Sequence, residues 1–366
     1  MIVSWIRTTG FRNLIPDTIR LEEGVNIFIG SNAQGKTNVL EAVALLANGR
    51  SFRGAGIADM IQSGETDAGI EGQICNGNNE ITLKVHMSRS SRLYHVNNRQ
   101  VTDLREFLGC FSYVVFAAEC MAIVEGDSAA RRNFLDHGYF GLKPSYLLTL
   151  RSYRKILKSR NATIKQAPDN ERLIETWNEP LCRNGSVIAH SRMMYLEKIR
   201  QTAEKEYHAL AGGNERLTIE YHAPWLSKEA QVKNDEKHIQ EDLLVGLEKS
   251  LASDIRNGST SVGPHRDEVR ILVDGKNIRW YGSRGQKRSV LLALKLAELE
   301  VFHNEKGHYP ILILDDISSE LDEHRRDNLI RSLPKNIQIL ISHTEKFDFD
   351  RPAQYFQVAA GSITRC

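Results

Sequence analysis

An α/β fold assembled from both ends of the chain, with a mainly helical segment inserted between them, is what this sequence predicts. Three observations carry that expectation. The runs VNIFI (25–29), PILILDD (310–316) and IQILIS (337–342) are short, bounded and almost wholly apolar, the pattern of strands buried on both faces. The first runs into the glycine-rich turn GSNAQGKT (30–37), which opens the helical pattern TNVLEAVALLANG (37–49). From about Ala122 to Ser253 the chain is charged, helical in period and poor in strand signals.

In chain order, IVSWIRTTGF (2–11) and TIRLEEGVNIFIG (18–30) read as paired strands. GIEGQI, EITLKVHM and RLYHVNNRQV, between Ala68 and Val101, are separated by Gly and Asn turns and read as an antiparallel sheet. FSYVVFA (111–117) is another buried strand. Helical stretches follow from SAARRNFLDHGYF (128–140) through a long periodic run ending near Gly212, interrupted by the strand-like RLTIEYHA (216–223). After Gly258 come EVRILVDGKNI, the helix SVLLALKLAELEVF (289–302) and the two buried runs. This places the N-terminal part of the α/β domain at 1–121, the helical insertion at 122–255 and the C-terminal part at 256–366.

With 366 residues, 41% hydrophobic and 26% charged, the chain can bury two cores. A net charge of +2 means that any polyanion must be met by a local basic patch. The five cysteines are scattered, with no C-x-x-C pair, which fits a reducing, cytoplasmic compartment and neither zinc nor a disulfide framework. No apolar run approaches a bilayer span, and the start MIVSWIRTTGFRNL carries charge and glycine too early for a secretion signal. No membrane partner is expected.

GSNAQGKT satisfies G-x-x-x-x-G-K-[ST], with strand before and helix after. Gly30, Ser31, Asn32, Ala33, Gln34 and Gly35 are expected to turn backbone N–H groups around phosphate oxygens. Lys36 would reach the β and γ phosphates of ATP, and Thr37 would ligate Mg²⁺. Such a loop calls for a carboxylate at the end of a buried strand. PILILDD supplies Asp315 for the metal side and Asp316 to orient the attacking water. Ser283, Gly285 and Gln286 stand just ahead of a long helix, a second anion site. One chain cannot easily wrap both around one phosphate chain; supplied in trans, the second could close over the γ-phosphate held by the first.

This order of motifs is that of ABC-type ATPases and in detail resembles the RecF family, related to SMC and Rad50 heads. FRNL (11–14), NGRSFR (48–53), RRNFLD (131–136), LKSRNATIK (157–165), GPHRDE (263–268) and SELDEHRR (319–326) carry the likeness nearly end to end. The resemblance implies that Arg12 and Asn13 lie near the nucleotide phosphates. It also implies that Ser283, Gly285 and Gln286 contact ATP across an ATP-dependent homodimer, and that Ser319 to Asp322 form a loop at the seam. It implies DNA as partner (single-stranded, gapped or junction), together with RecR and RecO and, indirectly, RecA. FAAECM (116–121) departs from the family's Pro-Glu-Asp run while keeping Glu119. His343, in ISHTEK, stands at the place of the ABC switch histidine.

For DNA, Arg151, Arg154, Lys155 and Lys158 share one helix face, with Arg160 and Lys165 beyond. A second candidate patch mixes Arg89, Arg92 and Arg99 with Tyr94 and His95. Either suits sequence-independent contact with phosphates. Two other classes use the same ATP motifs. A transporter's nucleotide-binding subunit would need a surface for membrane segments, and an SMC-type clamp would need long heptad arms.

Overall fold

A computed structural model describes residues 1–77, 79–316, 329–330, 332–346, 349 and 351–366. The chain divides into two compact units, one of Met1–Met121 with Leu291–Cys366 and one of Ala122–Val290. Residues 256–290 thus group with the central unit, whereas the sequence reading ends the insertion at 255.

The N-terminal strands β1 (Ile2–Thr9) and β2 (Thr18–Arg20) pair antiparallel. The next strand, β3 (Val25–Ile29), belongs to a different sheet. TIRLEEGVNIFIG is therefore divided between two sheets rather than forming one paired strand. The physical reason lies in its composition: VNIFI has few polar positions and is buried along four of five residues, which one face of an antiparallel ladder cannot provide. The strands β4 (Asp67–Asn76), β5 (Asn79–Ser88), β6 (Arg92–Val96) and β7 (Arg99–Val101) complete an antiparallel sheet of order β2-β1-β4-β5-β6-β7. Strand β8 (Tyr113–Phe116) then enters the other sheet.

In the central unit four helices dominate, Ser128–Leu142, Tyr146–Gln166, Asn178–Leu210 and Glu236–Asn257. Asp127 and Asp235 cap the first and last by accepting from backbone N–H groups of Ala130 and His238, each contact stabilising by about 1 kcal/mol. Tyr146, Leu150, Tyr153, Leu181, Ile188, Leu243 and Leu247 pack into one core. A small antiparallel sheet joins β9 (Leu217–His222), within the strand-like RLTIEYHA, to β10 (Glu268–Val273) and β11 (Lys276–Asn277), within EVRILVDGKNI.

The remaining strands, β12 (Ile311–Asp315), β13 (Ile339–His343), β14 (Ala353–Ala359) and β15 (Ser362–Arg365), complete the second sheet. Its order is β15-β14-β3-β13-β12-β8, parallel throughout except at the β14–β15 hairpin. Among the described residues no helix is long and apolar enough to cross a membrane.

Candidate nucleotide-binding site

Five parallel strands end on the same edge of this sheet, and the segments that follow them deliver polar groups there. This is where open α/β sheets bind ligands. Strand β3 runs into Gly30–Thr37, and the helix Lys36–Asn48 follows. Gly35 has φ of 118°, and a Cβ there would stand 2.9 Å from Asn13 Oδ1. A Cβ on Gly30 would meet the Val358 carbonyl oxygen at 2.2 Å. Both glycines are therefore demanded by backbone shape and by close neighbours. Ala33 also holds a positive φ of 64°, within an exposed rim formed with Ser31 and Asn32.

The Lys36 side chain is buried and folds back over the loop, where Nζ donates to the carbonyl oxygens of Gly30 (2.7 Å) and Ser31 (2.8 Å). Burial pulls its pKa down, while Asp316 and Asp315 oppose that shift. Thr37 Oγ1 donates to Asp315 Oδ1 at 2.8 Å, joining the loop to the end of β12. Ser342, which lies opposite Asp315 in the β12–β13 register, donates to the same oxygen at 2.6 Å. The same Oγ accepts from the Asp316 backbone N–H at 2.9 Å. Asp316 adopts a left-handed φ of 48°, an unusual conformation for a non-glycine residue. Burial pushes the Asp315 carboxyl up; hydrogen bonds from Ser342 and Thr37 counter this, and Glu119 and Asp316 add to it. Glu119, carried by the short turn after β8, thus acts on Asp315, and it also lies 3.7 Å from Arg53. His343 ends β13 and is buried, its Nδ1 2.6 Å from the Glu345 carbonyl oxygen.

The two residues taken from FRNL occupy distinct places. Arg12 forks onto buried Glu41 of the loop's helix (Nε 2.9 Å, Nη2 2.8 Å) and donates to the Asp59 carbonyl. Ser51 donates to the same carboxylate. Asn13 bridges the two ends of the loop, donating to the Gln34 carbonyl (3.2 Å) and accepting from Asn38 Nδ2 (2.7 Å).

The C-terminal hairpin joins this support, which sequence reasoning missed. Gln34 Oε1 accepts from the Ala360 N–H (2.6 Å), and its carbonyl accepts from Gly361 (2.9 Å). The only local signal was Ala360-Gly361 between alternating apolar residues, which marks a turn and not its partner. Ser342 was also missed; a hydroxyl on the strand neighbouring an Asp-ending strand is visible only once the strand order is known.

In the central unit, the helix Arg284–Lys306 begins in a reciprocal cap. The Ser283 N–H donates to Gln286 Oε1 (2.8 Å) and the Gln286 N–H to Ser283 Oγ (3.2 Å). Gln286 Nε2 is further held by Glu215 (3.0 Å). Ser283 is exposed, while Gly285 and Gln286 are half-buried. The helix start is thus rigid and open to solvent. Ser319 to Asp322 lie outside the described residues.

Of the basic residues, Arg151, Arg154, Lys155 and Lys158 are all exposed on the helix Tyr146–Gln166. Arg160 is a correction: it is fully buried, paired with Asp254 at 2.9 Å and donating to Thr260 at 2.7 Å. It falls on the stripe Tyr146, Leu150, Tyr153, Arg160 and Ile164, the buried face of the helix. The second patch is largely committed elsewhere. Arg92 donates to the Gly49 carbonyl and Arg99 pairs with Glu106, which leaves Arg89 exposed.

A parallel sheet with a phosphate-type loop, a paired-acid strand end beside it and a capped S-x-G-Q helix define the class: a P-loop ATPase head of the ABC type. The sequence matches the RecF/RecN/SMC N terminal domain family over residues 2–361. Relatives named DNA replication and repair protein RecF include that of Synechococcus sp. (strain JA-3-3Ab), 36% identical over 99% of this chain and 97% of the relative. That of Geobacillus kaustophilus (strain HTA426) is 33% identical over 100% and 99%. The solved structure of the recombination mediator protein RecF-ATPrS in the RecFOR pathway superposes with a TM-score of 0.91 at 34% identity, covering 100% of this chain and 98% of that one. An SMC head bound to the C-winged helix domain of ScpA shares the fold, with a TM-score of 0.58 at 15% identity over 100% and 97% of the two chains. The chain belongs to the RecF family.

Proposed function

We propose that this chain is an ATP-dependent DNA-binding protein of cytoplasmic recombinational repair, with ATP acting mainly as a dimerisation switch. The observation that carries this reading is the contact of Thr37 Oγ1 with Asp315 Oδ1 at 2.8 Å, beside a buried Lys36. Two hard oxygen donors and one ammonium are gathered at the glycine-rich turn that opens the helix Lys36–Asn48. That set suits a triphosphate with Mg²⁺, which keeps few protein ligands and completes its shell with phosphate and water. Mg²⁺ bound there would neutralise phosphate charge.

Lys36 keeps a third ammonium proton beyond the two given to loop carbonyls, and that proton is available to a phosphate oxygen. Thr37 and Asp315 hold the metal side, with Ser342 fixing the carboxylate. Asp316 orients water; a short side chain on a constrained backbone makes for slow turnover. Ser283, Gly285 and Gln286 of a second copy clasp the same nucleotide from outside, so ATP joins two heads. The exposed Arg151, Arg154, Lys155 and Lys158 contact DNA phosphates at single-stranded, gapped or junction sites. The RecFOR pathway named for the solved structures supports action with RecO and RecR, and the resemblance to RecF adds the loading of RecA.

Lys36→Arg tests this reading. ATP-dependent dimerisation, followed by sedimentation, should weaken at least about tenfold, because the bulkier fork cannot share two loop carbonyls and a phosphate. Wild-type dimerisation in that variant would count against it.

A further inference from the structure

The motifs RRNFLD and GPHRDE play no part in the nucleotide site, yet they meet in the central unit. Arg131 forks onto Glu268 (2.9 and 3.1 Å), and Arg132 Nη1 donates to the Asp267 carbonyl at 2.7 Å. Buried Asp136 accepts from Tyr146 (2.7 Å) and from Arg192 (2.7 and 2.9 Å), whose Nη1 also donates to the Pro264 carbonyl at 2.6 Å. Beside this lattice lies a cleft of about 210 Å³, lined by Arg132, Asn133, Asp136, Arg154, Arg192 and His265 among others.

Its charge does not balance. Arg192 and Asp136 cancel one another. His265 has both ring nitrogens engaged, Nδ1 with the Tyr153 hydroxyl (2.7 Å) and Nε2 with the Thr260 carbonyl (3.0 Å). Arg132, half-buried, and Arg154, exposed, face the cleft, and neither pairs with a carboxylate among the described residues. Two guanidiniums with no ion-pair partner among the described residues thus line a cavity with room for several waters. Asp267, Glu268 and Asp127 act on Arg132 without forming an ion pair with it, while Arg192 opposes them, so a close counterion is still to be gained from a ligand.

We propose that this cleft seats a phosphate monoester, gripped by Arg132 and Arg154, with the 5′-terminal phosphate at a DNA gap as its source. Two positive charges match a monoester, which carries close to two negative charges at neutral pH, better than a singly charged backbone diester. The lattice beneath fixes Arg132 in advance, so little freedom is lost on binding. The DNA source rests on the nucleic-acid reading above, while the chemistry of the seat does not.

The experiment measures affinity for two gapped duplexes, identical except for a 5′-phosphate or a 5′-hydroxyl at the gap, with inorganic phosphate as competitor. Wild type should favour the phosphorylated end about tenfold. Arg132→Gln should erase that preference while binding the hydroxyl end nearly as wild type does, and Arg154→Gln should erase it on top of the uniform weakening of both ends that losing one charge of the basic helix brings. Arg154 is exposed and makes no hydrogen bond or ion pair among the described residues, so it decides the matter should the Arg132 variant fail to fold. Lys158→Gln, outside the cleft, should weaken binding to both ends alike, which tests the basic helix separately. Displacement of wild type from both duplexes by inorganic phosphate, without end preference, would support the seat and assign it to a free phosphorylated molecule. Equal binding of both ends by wild type without such displacement, or a preference that survives both substitutions, would overturn the proposal.

Discussion

The nucleotide edge of the parallel sheet and the helical core of the central unit bury charge in opposite ways. At the edge of the parallel sheet, Lys36 is held by carbonyls and Asp315 by hydroxyls, neutral partners that satisfy geometry without cancelling charge. In the central unit, Arg160 with Asp254 and Arg192 with Asp136 are closed ion pairs, all four side chains nearly inaccessible. A charge held by dipoles keeps its field available for a ligand, whereas a charge held by its opposite has spent that field on architecture.

Breaking a closed pair should have the largest effect. Arg160→Ala leaves Asp254 buried and unpaired, so unfolding by denaturant should show a loss of about 3–5 kcal/mol. Nucleotide affinity of the protein that stays folded should be unchanged. Asp315→Asn should do the reverse. Its carboxylate is disfavoured by burial and forms no ion pair among the described residues, so stability should stay within about 1 kcal/mol of wild type. Calorimetry should meanwhile show Mg²⁺-dependent ATP affinity falling at least about tenfold.

How much of this contrast could be read from residues alone is uneven. The phosphate loop was legible because its spacing encodes backbone shape, and the acids of PILILDD because a buried strand must end in something polar. The basic helix was legible only in part. Arg154 and Arg160 are alike in sequence, and only the phase of Tyr146, Leu150, Tyr153 and Ile164 shows that Arg160 turns inward. Contacts between distant segments were not legible at all. Gln34 meets Ala360, and Ser342 meets Asp315, through strand order that no local pattern specifies. Arg12 was placed near phosphates, but its guanidinium is occupied by Glu41, a partner 29 residues away.

Titration sharpens the comparison within the central unit. Burial pushes Asp267 up to about 6, against hydrogen bonds from Tyr221 and Trp225. Burial pulls His265 down to about 4. A raised carboxyl contributes stability that is present at low pH and lost as pH rises through about 6. A depressed histidine contributes stability that is present above its ordinary value and lost as pH falls toward about 4. Relative to wild type, Asp267→Asn should therefore gain stability as pH rises from about 4 to 7, and His265→Gln should gain it in the other direction, each by about 3 kcal/mol. Thermal unfolding across that range checks both signs, and parallel slopes in the two variants would contradict them. The smallest effect belongs to the hairpin brace. Gln34→Ala removes the side-chain contact to Ala360 and should lower stability by about 1 kcal/mol, with ATP affinity reduced only a few-fold.

Sharing of one nucleotide between two copies is tested most directly by analytical sedimentation of wild type and Ser283→Arg, each with and without ATP. Wild type should sediment as a dimer only with ATP. The variant, whose exposed helix start carries bulk where a neighbour's phosphates would sit, should stay monomeric while still binding ATP as wild type does. An ATP-driven dimer of Ser283→Arg as stable as that of wild type would contradict it.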